Sequence, residues 1–192
     1  MNPACPTPID SAVLADYWVE ALDASEEESI EEHLLDCDGC GDRLREIIAL
    51  AEGVRELARG GSLRLVVSDE FVRRAAESGS QVRRYALPAG GSVNCTVAPG
   101  DDLLVTRFAA DLSGAERVDL AMCNAAGEEQ YRLQDIPVKA GASGVVYQES
   151  ITFGRAAPSG KLLARLFAVD SSGDDRLIGE YTFNHTAMSP NA

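Results

Sequence analysis

The sequence predicts an α+β protein in parts: a helical module over residues 1–60, a linker with a fourth helix over 61–81, and an all-β sandwich over 82–192. Three observations carry this. Apolar residues recur near every fourth position early in the chain. From about Val82 the period drops to two and turn clusters punctuate the chain. The charge is also uneven: of a net −14, residues 1–42 hold twelve acids and no Lys or Arg.

The first helix carries the stripe Ile9, Val13, Tyr17 and Ala21, with Leu14, Trp18 and Leu22 beside it. Ser25 followed by Glu28 reads as a capping box, and Glu26 and Glu27 suit the positive end of the helix dipole. The second helix is therefore expected from Ser25 to Asp36, with Ile30, Leu34 and Cys37 inward. A third runs from near Gly39 to Gly60-Gly61, with Leu44, Ile47, Ile48, Ala51, Val54, Leu57 and Ala58 as its stripe. A fourth spans Ser68-Asp69 to Ser78-Gly79, with Phe71, Val72 and Ala75 on one face; Leu63 to Val67 is apolar and unassigned.

In the β part, Val93, Cys95 and Val97 alternate with polar or small residues. Turn clusters such as Pro99-Gly100-Asp101-Asp102, Pro158-Ser159-Gly160 and Ser171-Ser172-Gly173-Asp174 separate strands at Leu103–Ala109, Arg117–Met122, Val145–Phe153, Leu162–Val169 and Leu177–Phe183. About eight short strands without a long helix read as a sandwich or barrel.

Composition removes several function classes. An acidic chain is a poor match for nucleic-acid phosphates. No run reaches the roughly 18 apolar residues of a membrane span. Met1 to Asp10 has neither basic residue nor apolar core, so no secretory signal is expected and the cytoplasm is. The acidic first segment reads either as solvated helix faces or as a docking surface for a basic partner. No nucleophile is paired with a base and no phosphate-binding loop is present, so an enzyme is not expected. Cys95 and Cys123 read as small buried hydrophobes, and His185 as a polar strand end.

The five cysteines are Cys5, Cys37, Cys40, Cys95 and Cys123; an odd number without a secretory signal argues against a disulfide framework. His33 precedes Cys37-Asp38-Gly39-Cys40 by four, giving H-x3-C-x2-C. That separation sets His33 and Cys37 on one helix face, and Gly39 is expected to permit a tight turn returning Cys40 beside Cys37. These three cover three corners of a Zn2+ tetrahedron, and Cys5 is the nearby candidate for the fourth.

With those residues in view, the first 80 residues resemble a zinc-binding anti-sigma factor of bacteria. Tyr17-Trp18-Val19-Glu20-Ala21-Leu22, Ser25-Glu26-Glu27-Glu28 and His33 through Cys40 carry the resemblance, with Tyr17 sixteen positions before His33. It implies three helices around the metal and a fourth, here Ser68–Gly79, that clasps a sigma factor. It implies sequestration of an alternative sigma factor and repression of its transcription, with release through a signal at the β-domain or through thiol oxidation. Zinc then reads first as a folding staple. In the redox variant, oxidation joins Cys5 to Cys37 or Cys40 as a disulfide and expels the metal. The other reading is a zinc-stapled adaptor, or a ligand-binding sandwich, with no sigma partner.

Overall fold

The computed structural model describes residues 5–139, 141–170 and 174–188. The expected turn at Ser171-Ser172-Gly173 lies outside them. The chain divides into two compact units, 1–59 and 60–192.

The first unit holds α1 (Ser11–Trp18), α2 (Ala24–Asp36) and α3 (Asp38–Arg59). Asp10 caps α1 by accepting from the Ala12 N–H. Arg43 of α3 donates to the Ile9 carbonyl (3.0 Å), and the Arg55 guanidinium lies 4.2 Å over the Trp18 ring. The early part of α3 therefore meets the start of α1 and a later turn meets its end, so the two helices run side by side in one direction. Tyr17 bridges from α1 to α2, donating to Glu31 Oε1 at 3.3 Å.

The capping box at the start of α2 sits two residues before the expected Ser25–Glu28 pair. The Asp23 carboxylate accepts from the Ser25 and Glu26 N–H groups, and the Glu26 side chain returns to the Asp23 N–H. Asp competes as well as Ser for this position, and the residue that leaves extended backbone for helix decides it.

The end of α1 closes as a Schellman turn. The Glu20 N–H donates to the Tyr17 carbonyl and the Ala21 N–H to the Asp16 carbonyl. That geometry needs a left-handed residue, and Glu20 supplies it at φ +56°.

The second unit begins before residue 82. The unassigned apolar run forms β1 (Leu65–Val67), followed by α4 (Asp69–Glu77), β2 (Val82–Leu87), β3 (Ser92–Cys95), β4 (Leu103–Ala109) and β5 (Arg117–Cys123). β6 (Glu129–Pro137), β7 (Gly144–Glu149), α5 (Ile151–Ala156), β8 (Gly160–Val169) and β9 (Asp175–His185) complete it. One sheet has the order β1-β7-β4-β2 and the other β3-β9-β8-β5-β6. Pairing is antiparallel except for β2 with β4 and β3 with β9.

One apolar core lies between the sheets: Leu87, Phe108 and Tyr147 from the first meet Leu120, Leu166, Tyr181 and Phe183 from the second. Each such large side chain stabilises by about 1.5–3 kcal/mol through burial. Phe108 sits 4.7 Å from the Tyr181 ring centroid, and the Tyr181 hydroxyl donates to the Ala109 carbonyl at 2.7 Å.

Two expectations are corrected here. Residues 61–81 are not a linker: β1 pairs with β7, and Val72 of α4 is buried with Val105 and Val146 against the first sheet. The apolar face of α4 expected to clasp a partner is thus occupied within its own unit at Val72, while Phe71 stays exposed. The β part is also not all-β. The expected strand Val145–Phe153 ends at Glu149, because the Ser150 hydroxyl caps α5 by accepting from the Phe153 N–H. β6 had no sequence expectation; it is interrupted by a register shift against β5 and by left-handed Asp135 (φ +56°), which break its alternation.

Two backbone positions give opposite predictions. Glu20→Gly relieves the left-handed strain and raises stability by about 0.5–1 kcal/mol in a urea titration. Gly144→Ala lowers it by about 1–3 kcal/mol, because a Cβ there overlaps the Phe108 carbonyl oxygen at φ +150°.

Candidate metal centre

Four donors from three segments meet where α2 gives way to α3. His33 lies in the last turn of α2, and Cys37 closes that helix in extended backbone at φ −128° and ψ 92°. Cys40 is in the first turn of α3, and Cys5 comes from the segment before α1. The extended residue at 37 ends the first helix and lets the second start at once. Gly39 therefore makes no separate tight turn, contrary to the sequence expectation. It lies within α3, and a Cβ there would meet nothing within 4 Å.

The three sulfurs and one ring nitrogen all lie within 4.8 Å of one another, with Cys40 buried and the others half-buried. Cys5 Sγ is 3.6 Å from His33 Nε2. Donors about 2.0–2.3 Å from one tetrahedral centre stand about 3.5–3.8 Å apart, so the donors are close enough to hold a metal ion. The Cys3His set is compatible with zinc. The sequence proposed His33, Cys37 and Cys40 with Cys5 as the candidate fourth ligand, and the structure brings all four together.

The electrostatics suit a cation. The Cys40 backbone N–H, helped by the Cys5 thiol, brings the Cys37 thiol down to about 7. Partial desolvation and hydrogen bonding with Cys37 push the Cys5 thiol up. Three thiolates this close repel one another, and a shared cation removes that repulsion.

The first unit has little else to hold it. Its buried apolar residues, among those described, are Leu14, Ile30 and Cys40. The α3 stripe is half-buried at Leu44, Ile47, Ile48 and Ala51, then emerges: Val54, Leu57 and Ala58 are exposed. Leu50, off that stripe, is 71% exposed and Leu35 of α2 is 86% exposed.

The other cysteines, the second histidine and the acidic turn residues lie in the second unit. Cys123 is buried beside Ala121 and Leu163. The Asp101 carboxylate pairs with Arg83 and accepts from the Ala98 N–H, and Asp102 accepts from the Gln81 N–H. Asp175 pairs with Arg132 at 2.5 Å. Cys95 and His185 meet, because β3 and β9 pair in parallel with these two residues opposite. Ninety positions separate them in the chain, so no local spacing could announce the pair.

No helix among the described residues is long and apolar enough to cross a membrane. No protein-family model matches the chain, and no curated protein matches it. Two solved structures are similar to part of it. The CopC protein of Methylosinus trichosporium OB3b shows a TM-score of 0.31 and 12% identity over 53% of this chain and 89% of its own. Fibronectin(III)-like modules of Clostridium thermocellum CbhA show 0.31 and 13% over 51% and 92%. Likeness at this level carries no argument about either unit.

The geometry predicts one metal ion per chain in the purified protein. Cys5→Ser weakens zinc binding by about 100-fold or more in a chelator competition, since loss of a ligand exceeds loss of an outer-shell partner. Chelation lowers the helical circular-dichroism signal at 222 nm. Full helicity after chelation refutes the staple.

Proposed function

We propose that the first unit is a zinc-stapled protein-docking module, and that the protein is an anti-sigma factor that sequesters an alternative sigma factor. The observation that carries this reading is the convergence of Cys5, His33, Cys37 and Cys40 on one point. It is joined to the tyrosine-led helix end and the capped acidic helix that resemble the anti-sigma family.

The metal ties the N-terminal segment to the α2–α3 corner and stands in for the core that so short a unit lacks. Metal binding and the shape of the docking surface are then one equilibrium. Twelve acids precede Arg43, matching a partner whose nucleic-acid- and polymerase-facing surfaces are basic. The exposed apolar residues Leu50, Val54 and Leu57 on α3 supply the area that desolvates on contact. Charge speeds the encounter and apolar burial sets the lifetime of the complex. Function is occlusion: surfaces a sigma factor needs for polymerase and promoter are covered. No step requires bond chemistry.

The test uses the full chain with the sigma factors of its own cell, each in purified form. One of them is expected to form a stoichiometric complex and to lose promoter-dependent transcription in vitro, with activity restored by Cys40→Ser in the antagonist. The association rate is expected to fall about tenfold or more between low and physiological salt. Absence of a complex with every sigma factor refutes the reading.

A further inference from the structure

The second unit contains an apolar cavity of about 530 Å³, within the about 300–1,000 Å³ typical of small-molecule sites. Both sheets and α5 build its walls: Leu104 from the first sheet, Met122, Leu162 and Phe183 from the second, and Phe153 from the helix. The core beside it is closely packed, with Phe108 and Tyr181 fully buried. The gap is thus a feature of one place in the sandwich and not loose packing throughout. Phe153 is 55% exposed and Leu162 38% exposed, so apolar side chains frame the opening.

The charges on the wall fix the class of guest. Among the described residues, the acidic and basic side chains lining the cavity are Arg64 and Glu149. Arg64 Nε donates to Glu149 Oε1 at 2.6 Å, and the Ser150 N–H donates to the same oxygen at 2.8 Å. The Tyr131 and Tyr147 hydroxyls lie 3.0 and 2.8 Å from Glu149 Oε2. The Arg64 guanidinium also lies 4.4 Å over the Tyr131 ring and 4.2 Å over the Phe153 ring. The Tyr85 hydroxyl is engaged twice with Thr96, donating to its carbonyl at 2.8 Å and accepting from its N–H at 3.0 Å. His185 Nε2 has no partner, but it is itself buried and presents essentially no surface to a guest.

We propose that this cavity binds a small uncharged aromatic molecule, about two or three rings in size. An apolar cavity of roughly 150 Å³ holds one benzene, and this one is more than three times larger. Phe153 and Phe183 offer ring faces and edges to stack on, and the Met122 thioether favours an aromatic neighbour. An anionic guest would have to share Arg64 with Glu149. A cationic guest would have to share Glu149 with Arg64 and two hydroxyls. Either pays desolvation for a counter-ion already engaged, and an uncharged guest does not. The site uses the second unit alone and needs neither the metal nor a sigma partner.

The test pairs two dyes built on one skeleton. Phenylnaphthylamine is uncharged and dark in water; anilinonaphthalene sulfonate is an anion of the same rings. Each is titrated into the full-length protein, isotope-labelled at its methionine methyl groups. The uncharged dye is expected to brighten and saturate at one molecule per chain. The Met122 methyl resonance is expected to move in step, while that of exposed Met188 stays still. The sulfonate is expected to bind about tenfold more weakly or worse. Ala157→Trp, which sets a large ring on the wall, is expected to weaken the uncharged dye about tenfold or more. Brightening that never saturates, a sulfonate that binds as tightly, or a Met122 methyl unmoved at saturation overturns the proposal. Unchanged affinity in a folded Ala157→Trp does the same. The first three readings use the wild-type chain, so they decide the question even where the variant fails to fold.

Discussion

The three buried apolar side chains among its described residues cannot by themselves order the first unit of about sixty residues, because backbone entropy alone costs about 1–2 kcal/mol per residue. The first unit instead concentrates its long-range ties at one corner. Cys5 reaches across 28 positions to His33, Cys37 makes the break between α2 and α3, and Cys40 follows it in the first turn of α3. A bound cation turns three mutually repelling thiolates and an imidazole into one crosslink. Everything proposed for this unit, from the path of the N-terminal segment to the exposed face of α3, depends on that corner closing.

The second unit is held by a different physics. Its sheets share a dense apolar core in which Phe108, Tyr147 and Tyr181 are nearly inaccessible. Burial of this kind needs no ligand, so the unit can leave a sizeable gap at one place without losing its fold. Polar groups around that gap are sorted: the Arg64–Glu149–tyrosine group is internally satisfied, and the His185 ring is not.

α4 shows how a helix legible in the chain can still be misassigned. Its Ser68 cap, its Phe71-Val72-Ala75 spacing and its length were all visible. Its neighbour was not. Val72 meets Val105 and Val146, 33 and 74 residues further on, and no local pattern records which surface an apolar stripe will cover. β1 has the same history, since a three-residue run becomes a strand only when β7 offers it an edge.

Residue order alone determined what is local: the helical and strand periods, the Ser68 and Asp69 start of α4, the strand Leu103–Ala109, and the His33-Cys37-Cys40 spacing. These follow from interactions within one or two turns, where chain connectivity already sets the distances. Tertiary structure decided what is not local. It brought Cys5 to the corner, set Cys95 opposite His185, and closed Arg64 onto Glu149 across 85 positions. It also made Gly39 helical and Glu20 left-handed. The physical reason is that contacts between distant segments are fixed by packing and pairing of whole elements. That is a property of the assembled sheets and helices, not of any window of sequence.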